Sequence, residues 1–476
     1  MDNNLQPRTQ DASQTGSNRS VILISSVAAL AGFLFGYDTA VINGAVEAIR
    51  SQFDIGSNTL GFAAASALIG AAVGAFIGGS VADRIGRIAV MKIAATLFFV
   101  SAVGSGLAPE IISLIVFRII GGVGVGVASI IAPAYIAEVA PARLRGRLGS
   151  LQQMAIVIGI FVSQLINQQF VTIAGGAGSE LWFGLDAWRW MLLVEALPAL
   201  AYFIGVYFIP ESPRFLVAAD KIPQARKVLQ LIMGEEGLEG AINRIRTSLA
   251  RETKPSLRDI RGSSFGFKPI VWVGIFLAIF QQFVGINVVF YYSNTLWQSV
   301  GFREDQAFLF SLISSIINVT VTVVAILLVD RIGRRPLLLI GSAGMAITLA
   351  IVGIVFATAP VGADGPVLQG AAGPIALVSA NLFVVFFGVS WGPVMWVMLG
   401  EMFPNKIRGA ALAVAGLAQW FANFAVTQSF PRLADLSLGF AYGLYATFAL
   451  ISFFFVKRYV RETRGKELED MPGEDN

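Results

Sequence analysis

Runs of about 20 apolar residues recur along this chain between Val21 and Val460, and that recurrence limits the fold more than any other property. A run of that length crosses ~30 Å of hydrocarbon as a helix. In lipid every backbone N–H and C=O must be satisfied inside the protein, so only helices and closed barrels can span. Barrel strands would alternate in polarity over ~10 residues, and the runs here do not alternate. Charged residues make up 13% of the chain, against roughly 25% in an ordinary soluble protein. The expected fold class is an all-α membrane protein with twelve transmembrane helices. The runs lie at 21–45, 60–81, 89–107, 112–136, 148–171 and 188–209, then at 268–298, 308–329, 337–358, 373–400, 410–430 and 438–459.

Charge sets the topology. Of the 34 Lys and Arg, counted with the nearest loop, only Arg50, Arg189, Arg303 and Arg432 fall on one face, and only Arg118 lies deep in a span. All the others share the face that carries both termini. The positive-inside rule puts that face in the cytoplasm, for a multi-pass protein of the plasma or inner membrane. The expected organisation is a disordered polar tail at 1–20, a six-helix half at 21–210, a linker at 211–267, a second half at 268–460 and a tail at 461–476. Within the linker, Leu238, Ile242, Ile245 and Leu249 form an amphipathic helix stripe, and Pro223 suits the start of another helix. The segment is expected to be a cytoplasmic helical linker, either a spacer or a regulatory element.

With no cysteine and no histidine in the chain, thiolate chemistry and the usual near-neutral base are absent. No metal site, cofactor or nucleic-acid partner is expected. The run Gly121-Gly122-Val123-Gly124-Val125-Gly126 lacks nucleotide-loop spacing and sits in an apolar helix, so it reads as close helix packing. No Walker motif follows, and the chain does not read as an enzyme.

Two motifs recur. Asp83-Arg84-Ile85-Gly86-Arg87 returns as Asp330-Arg331-Ile332-Gly333-Arg334, and Glu138, Pro141, Arg145 and Gly146 return as Glu401, Pro404, Arg408 and Gly409. Two parallel six-helix repeats are the plan of secondary transporters that hold substrate between halves near the midplane. These loop motifs carry two readings: topology determination by positive charge, or an inner-side network of acids and arginines that is closed when the outer side is open and breaks for inward opening.

The stretch from Gly274 to Tyr292 is apolar enough for lipid yet carries Gln281, Gln282, Asn287, Tyr291 and Tyr292. Unpaired amides in hydrocarbon cost several kcal/mol and need partners. On an ideal helix Asn287 lies about 240° round from Gln281, so a break at Gly285 is expected to re-aim the two groups. Asp38, Arg118 and Glu195 are ionisable residues inside first-half spans. Each costs roughly 2.5–3.5 kcal/mol at the bilayer centre, so they are either a static ion pair or functional.

These residues bring a family into view. Gly36-Tyr37-Asp38, the Asp83–Arg87 loop, Pro210-Glu211-Ser212-Pro213-Arg214, Gln281-Gln282 with Gly285-Ile286-Asn287, and Trp391-Gly392-Pro393 with Trp396 occur in order. Over about residues 21–470 the chain resembles the sugar porter branch of the major facilitator superfamily, most closely its bacterial and cyanobacterial glucose and xylose proton symporters. Ile88 and Arg461 depart from the family pattern, outside the binding core.

The resemblance implies the major facilitator fold and alternating-access import of a monosaccharide, a hexose such as glucose, with a proton, by a protein that works as a monomer. It implies that Asp38 binds the proton, that its pairing with Arg118 changes through the cycle, and that Glu195 lies close by. It implies sugar contacts at Gln153, Gln281, Gln282, Asn287, Asn318, Trp396, Gln419 and Trp420. Amides suit hydroxyls as donor and acceptor, and indoles cover apolar sugar faces; the competing reading of the amides is interhelical bonding at about 0.6 kcal/mol each. Tyr291 and Tyr292 are expected either to gate the outer side or to sit in the aromatic belt. The facilitative branch commonly has Asn in place of Asp38. A uniporter and a non-transporting sugar sensor are the alternatives; sensors usually carry a long cytoplasmic extension, and the tail after Val460 is short.

Overall fold

The computed structural model describes residues 8–141, 144–235, 237–251, 258–262, 266–362 and 365–463. It contains 12 helices long and apolar enough to cross a membrane. In the first half they are Arg19–Phe53, Ser57–Ile85, Arg87–Gly106, Ile111–Val139, Leu148–Ala174 and Ala187–Val206; in the second, Pro269–Ser299, Glu304–Val329, Arg334–Ala357, Ala372–Met402, Ile407–Leu436 and Leu438–Tyr459. They are called first to twelfth below. The first continues back to Arg8 as helix. Residues 8–20, expected to be unstructured, are therefore helical, because extending an established helix costs far less than nucleating one. The rest of that expected tail, and residues 464–476, lie outside the described residues.

Within the first half, the second helix packs on the fourth and the first on the fifth; within the second half, the ninth packs on the tenth and twelfth. The glycine run of the fourth helix serves the first of these contacts: a Cβ at Gly122 would fall on the carbonyl of Ala67, and one at Gly126 on that of Ala71. Between halves, the second helix meets the eleventh, the fifth meets the eighth, and the first meets the outer piece of the seventh.

The seventh helix is two pieces, Pro269–Phe283 and Ile286–Ser299. Gly285 between them has φ +83°, the left-handed region, and a Cβ there would lie 2.8 Å from the Tyr445 ring. Glycine alone meets both demands. The tenth helix is likewise split into Ala372–Val389 and Trp391–Met402 at Ser390, three residues before Pro393, which has no N–H to offer.

The linker holds the helices Pro213–Ala218, Ile222–Met233 and Leu238–Arg251. Ser212 caps the first, its Oγ accepting from the N–H groups of Arg214 (3.1 Å) and Phe215 (3.3 Å). Ile222–Met233 buries Ala225, Val228, Leu229 and Ile232 along one face, and Ile242 of the next helix is buried too.

Candidate functional site: an amide cluster and a buried charge cluster between two halves

The break at Gly285 turns the expected polar residues toward one another. Gln281 Nε2 donates to the carbonyls of Trp391 (3.0 Å) and Gly392 (3.3 Å), at the start of the inner piece of the tenth helix. Gln282 Nε2 donates to Gln281 Oε1 at 3.1 Å. Asn287 Nδ2 reaches across the break to Gln282 Oε1 (2.5 Å) and across to Asn423 Oδ1 of the eleventh helix (2.7 Å). Thr427 Oγ1 donates to Asn423 Oδ1 at 3.2 Å, and Tyr292 Oη donates to the Thr427 carbonyl at 2.9 Å. Gln281, Gln282 and Asn287 are thus brought together, bonded across helices through groups that a hydroxylated ligand could also satisfy. Tyr291 and Tyr292 are 4% and 1% exposed, which removes them from the aromatic belt.

The remaining expected sugar contacts are placed but not joined to this cluster by hydrogen bonds. Gln153 is half-buried on the fifth helix. Asn318 is buried on the eighth helix, where Gly388 of the tenth leaves room: a Cβ there would lie 3.7 Å from Asn318 Oδ1. Gln419 is buried with its Oε1 lacking a partner. Trp420 is buried with its ring 6.2 Å from that of Phe35, across the halves, whereas Trp396 is 44% exposed. Asn423 and Gln152 escaped the sequence reading. Asn423 stands four residues after Gln419 on the same helix face, a spacing that could have flagged it. Gln152 is buried with neither amide atom bonded, and nothing in its sequence context marks it.

The second group lies in the first half. Arg118 Nη1 stands 3.6 Å from Asp38 Oδ1, with both side chains almost wholly buried. That separation exceeds hydrogen-bond range. Asp38 Oδ2, Arg118 Nε and Glu195 Oε1 are all buried without a hydrogen-bond partner. Tyr37 Oη donates to the Met191 carbonyl at 3.0 Å, tying the first helix to the sixth just before Glu195. Asp38 and Arg118 are therefore only loosely paired in a buried setting, and Glu195 is buried on the sixth helix with one carboxylate oxygen unbonded.

At the helix ends expected to be cytoplasmic, the recurring motifs form matching clusters, one in each half. Arg87 forks onto Glu138 (2.9 and 3.1 Å) and reaches Asp83 at 3.0 Å, while Glu211 accepts from the N–H groups of Arg87 (3.0 Å) and Ile88 (3.2 Å). Arg334 forks onto Glu401 (2.8 and 3.1 Å), and Glu462 accepts from the N–H groups of Arg334 and Arg335, each at 3.0 Å. Arg408 donates to the Phe403 carbonyl at 3.0 Å. Arg84 and Arg331 are exposed, and the side chains of Arg145 and Asp330 lie outside the described residues. Among the described residues, hydrogen bonds joining the halves are found at the opposite ends of the helices. Ser57 bonds Asp435, Glu304 Oε1 accepts from Ala177 N–H at 2.9 Å, and Gln428 Nε2 donates to the Asn58 carbonyl at 3.0 Å. Deeper in, Asn43 Nδ2 donates to Ser293 Oγ (3.0 Å), and Asn43 Oδ1 accepts from Asn294 N–H (3.1 Å). The outer side is shut while the inner ion pairs are made. Arg87–Glu138 and Arg334–Glu401 each lie within one half, so a rocking of the halves leaves these two pairs whole.

Two packed six-helix halves, each with a buried polar cluster in its membrane-spanning helices, are the plan of a multi-pass membrane transporter. Residues 24–474 match the family model described as sugar (and other) transporter, and the chain belongs to that family. It is 52% identical over 469 residues to the glucose transport protein of Synechocystis sp., covering 98% of this chain and 100% of the relative. It is 41% identical over 491 residues to the D-xylose-proton symporter of Escherichia coli K12, covering 96% of each. Among solved structures, the inward-open conformation of the xylose transporter XylE from E. coli superposes with a TM-score of 0.81 at 39% identity, covering 95% of this chain and 99% of the other. The fold is the major facilitator fold.

Proposed function

We propose that this chain imports a monosaccharide, a hexose such as glucose, together with a proton by alternating access. One observation carries the coupling: Asp38, Arg118 and Glu195 are buried in a cluster whose charges are incompletely paired. Two carboxylates against one guanidinium carry a net negative charge in a dry interior, and one proton neutralises the cluster. The proton held on Asp38 frees Arg118 from its partner and lets the first and fourth helices reorient. The likeness to a glucose transport protein of Synechocystis and to a D-xylose-proton symporter of E. coli supports the same reading.

The sugar is gripped from the second half. Its hydroxyls exchange with the bonds among Gln281, Gln282 and Asn287, with Gln153, Asn318, Gln419 and Trp420 closing around it and Trp396 covering an apolar face. Tyr291 and Tyr292 shut the outer passage. The protein works as a monomer in the plasma or inner membrane with both termini cytoplasmic, residues 21–210 and 268–460 acting as the two moving halves. Asp83, Arg84, Arg87, Glu138 and Arg145, with Asp330, Arg331, Arg334, Glu401 and Arg408, act at the inner side, where the pairs Arg87–Glu138 and Arg334–Glu401 tie helices together within each half.

The test is uptake into proteoliposomes of purified protein, with and without an imposed pH gradient, across a panel of labelled sugars. A gradient should drive a hexose above its equilibrium level; one charge across 100 mV supplies about 2.3 kcal/mol, roughly fifty-fold accumulation. Uptake that only equilibrates under every gradient refutes proton coupling.

A further inference from the structure

The connection between the fifth and sixth helices holds a hairpin, Glu180–Trp182 paired antiparallel with Leu185–Asp186, and its turn is Phe183-Gly184. It lies at the helix ends opposite the Arg87 and Arg334 clusters. Both turn residues have positive φ, +57° and +75°, the signature of a type I′ turn. Asn, Asp and Gly suit the first of these positions, and a bulky ring there is an outlier. Burial does not explain the choice, because Phe183 is 91% exposed and Trp182 43%.

The segment is nonetheless firmly held. Ala187 N–H donates to the Ser179 carbonyl (2.8 Å), Trp188 N–H to the Ala177 carbonyl (2.9 Å) and Gly184 N–H to Glu180 Oε1 (3.0 Å). Trp190 Nε1 donates to the Trp182 carbonyl at 3.1 Å. The rings form a continuous row. Phe170 lies 5.5 Å from Trp182, Trp182 lies 5.6 Å from Trp190, and Phe183 lies 6.1 Å from Trp190.

That row continues the lipid-facing surface of two spans. Trp190 stands seven residues before Leu197 and fourteen before Ile204, about two and four helical turns, so the three share a face. Leu197 and Ile204 are exposed, as is Ile173 in the last turn of the fifth helix, three residues after Phe170. On spanning helices such residues face the hydrocarbon. The hairpin carries this apolar face past the ends of the spans Leu148–Ala174 and Ala187–Val206. At that level aromatic rings collect between hydrocarbon and water.

We propose that the hairpin is an interfacial anchor, with Trp182 and Phe183 seating its tip in the headgroup layer of the bilayer that the spans cross. Two rings on a turn already fixed by hydrogen bonds give up little freedom on entering that layer. Glu180 and Asp186 are the hairpin's charged side chains and disfavour anionic headgroups, so the layer it fits is zwitterionic lipid. Ala177 at the base of the same connection bonds Glu304 of the second half, so the anchor and the contact between halves belong to one segment.

The absence of cysteine from the chain makes the test direct. Phe183→Cys carries a single environment-sensitive fluorophore in phosphatidylcholine bilayers, and Trp182→Cys reports the same tip should the first variant fold poorly. Gly56→Cys is the water reference, on an exposed connection where an added Cβ meets nothing within 4 Å. Emission from position 183 should be blue-shifted relative to position 56. It should be quenched more by a nitroxide near the headgroup than by one deep in the acyl chains, and less than position 56 by iodide supplied on both sides. Iodide quenching equal to that at position 56, with none from nitroxide lipid, would place the tip in water and overturn the anchor. Stronger quenching by the deep nitroxide would place it in the hydrocarbon and overturn it as well. A label that neither quencher reaches would be covered by a second copy of the chain, which is also a refutation.

Discussion

Replacing Gly285 with alanine strikes the seventh helix through two separable effects. The residue sits at φ +83°, where a non-glycine residue costs roughly 1–2 kcal/mol. The added methyl would also stand 2.8 Å from the Tyr445 ring, inside contact distance, and overpacking of that kind costs about 1–3 kcal/mol. The combined loss is about 2–5 kcal/mol of stability. Sugar affinity should fall with it, because the break aims Asn287 at Gln282 and Asn423. Detergent-solubilised protein, unfolded by titration with a denaturing detergent and assayed in parallel for sugar binding, measures both losses. Companion variants separate the effects. Gly285→Ala with Tyr445→Leu removes the overlap without breaking a hydrogen bond of the Tyr445 hydroxyl, which has no partner, and should leave the backbone cost of about 1–2 kcal/mol. Gly285→Asn relieves part of the backbone cost and keeps the overlap. Wild-type stability and binding in Gly285→Ala would refute the reasoning, as would complete rescue by Tyr445→Leu.

Three further outcomes are expected. Asp38→Asn should keep sugar exchange across proteoliposome membranes and lose accumulation under a pH gradient, from roughly fifty-fold to none; continued accumulation would remove Asp38 from the proton path. Ser57→Ala deletes one exposed bond of the outer seam, to Asp435, worth about 0.5–1.5 kcal/mol. Spectroscopic distance measurements between labels on the outer ends of the second and eleventh helices should show the open population rise by about two- to tenfold. Arg87→Lys forfeits the forked contact to Glu138 while keeping the charge, so it should lower thermal stability more than Arg84→Lys, whose side chain is exposed.

Much of this architecture is legible in sequence because lipid leaves few options. Apolar runs have to be helices, Asp38 and Arg118 stand out as charges within them, and Gly285 between two polar groups announces a break. The repeated Asp83 and Asp330 motifs expose the two halves, and with them the matched Arg87–Glu138 and Arg334–Glu401 pairs. What stayed hidden depends on the relative heights and rotations of helices far apart in the chain. The contacts of Asn43 with Ser293 and Asn294 span about 250 positions, and no local periodicity encodes them. Gln152 is hidden for the same reason: one polar residue on a long helix looks alike whether it faces a partner, a cavity or a neighbouring backbone. The inner ion pairs were legible as pairs, yet their confinement within halves is a property of packing.

The outer piece of the seventh helix, Ile286–Ser299, has a consequence of its own. At 1.5 Å per residue it is a stiff rod of about 21 Å. Asn287 sits in its first turn within the amide cluster, Ser293 and Asn294 at its middle bind Asn43 of the other half, and Thr295 and Ser299 near its far end line a cavity of about 380 Å³ between the halves. Freed from the inner piece at Gly285, such a rod acts as a lever with its fulcrum at the break. A small tilt at the amide cluster becomes a larger sweep at the far end, so the two ends of the rod move as one rigid body and need no separate signal between them.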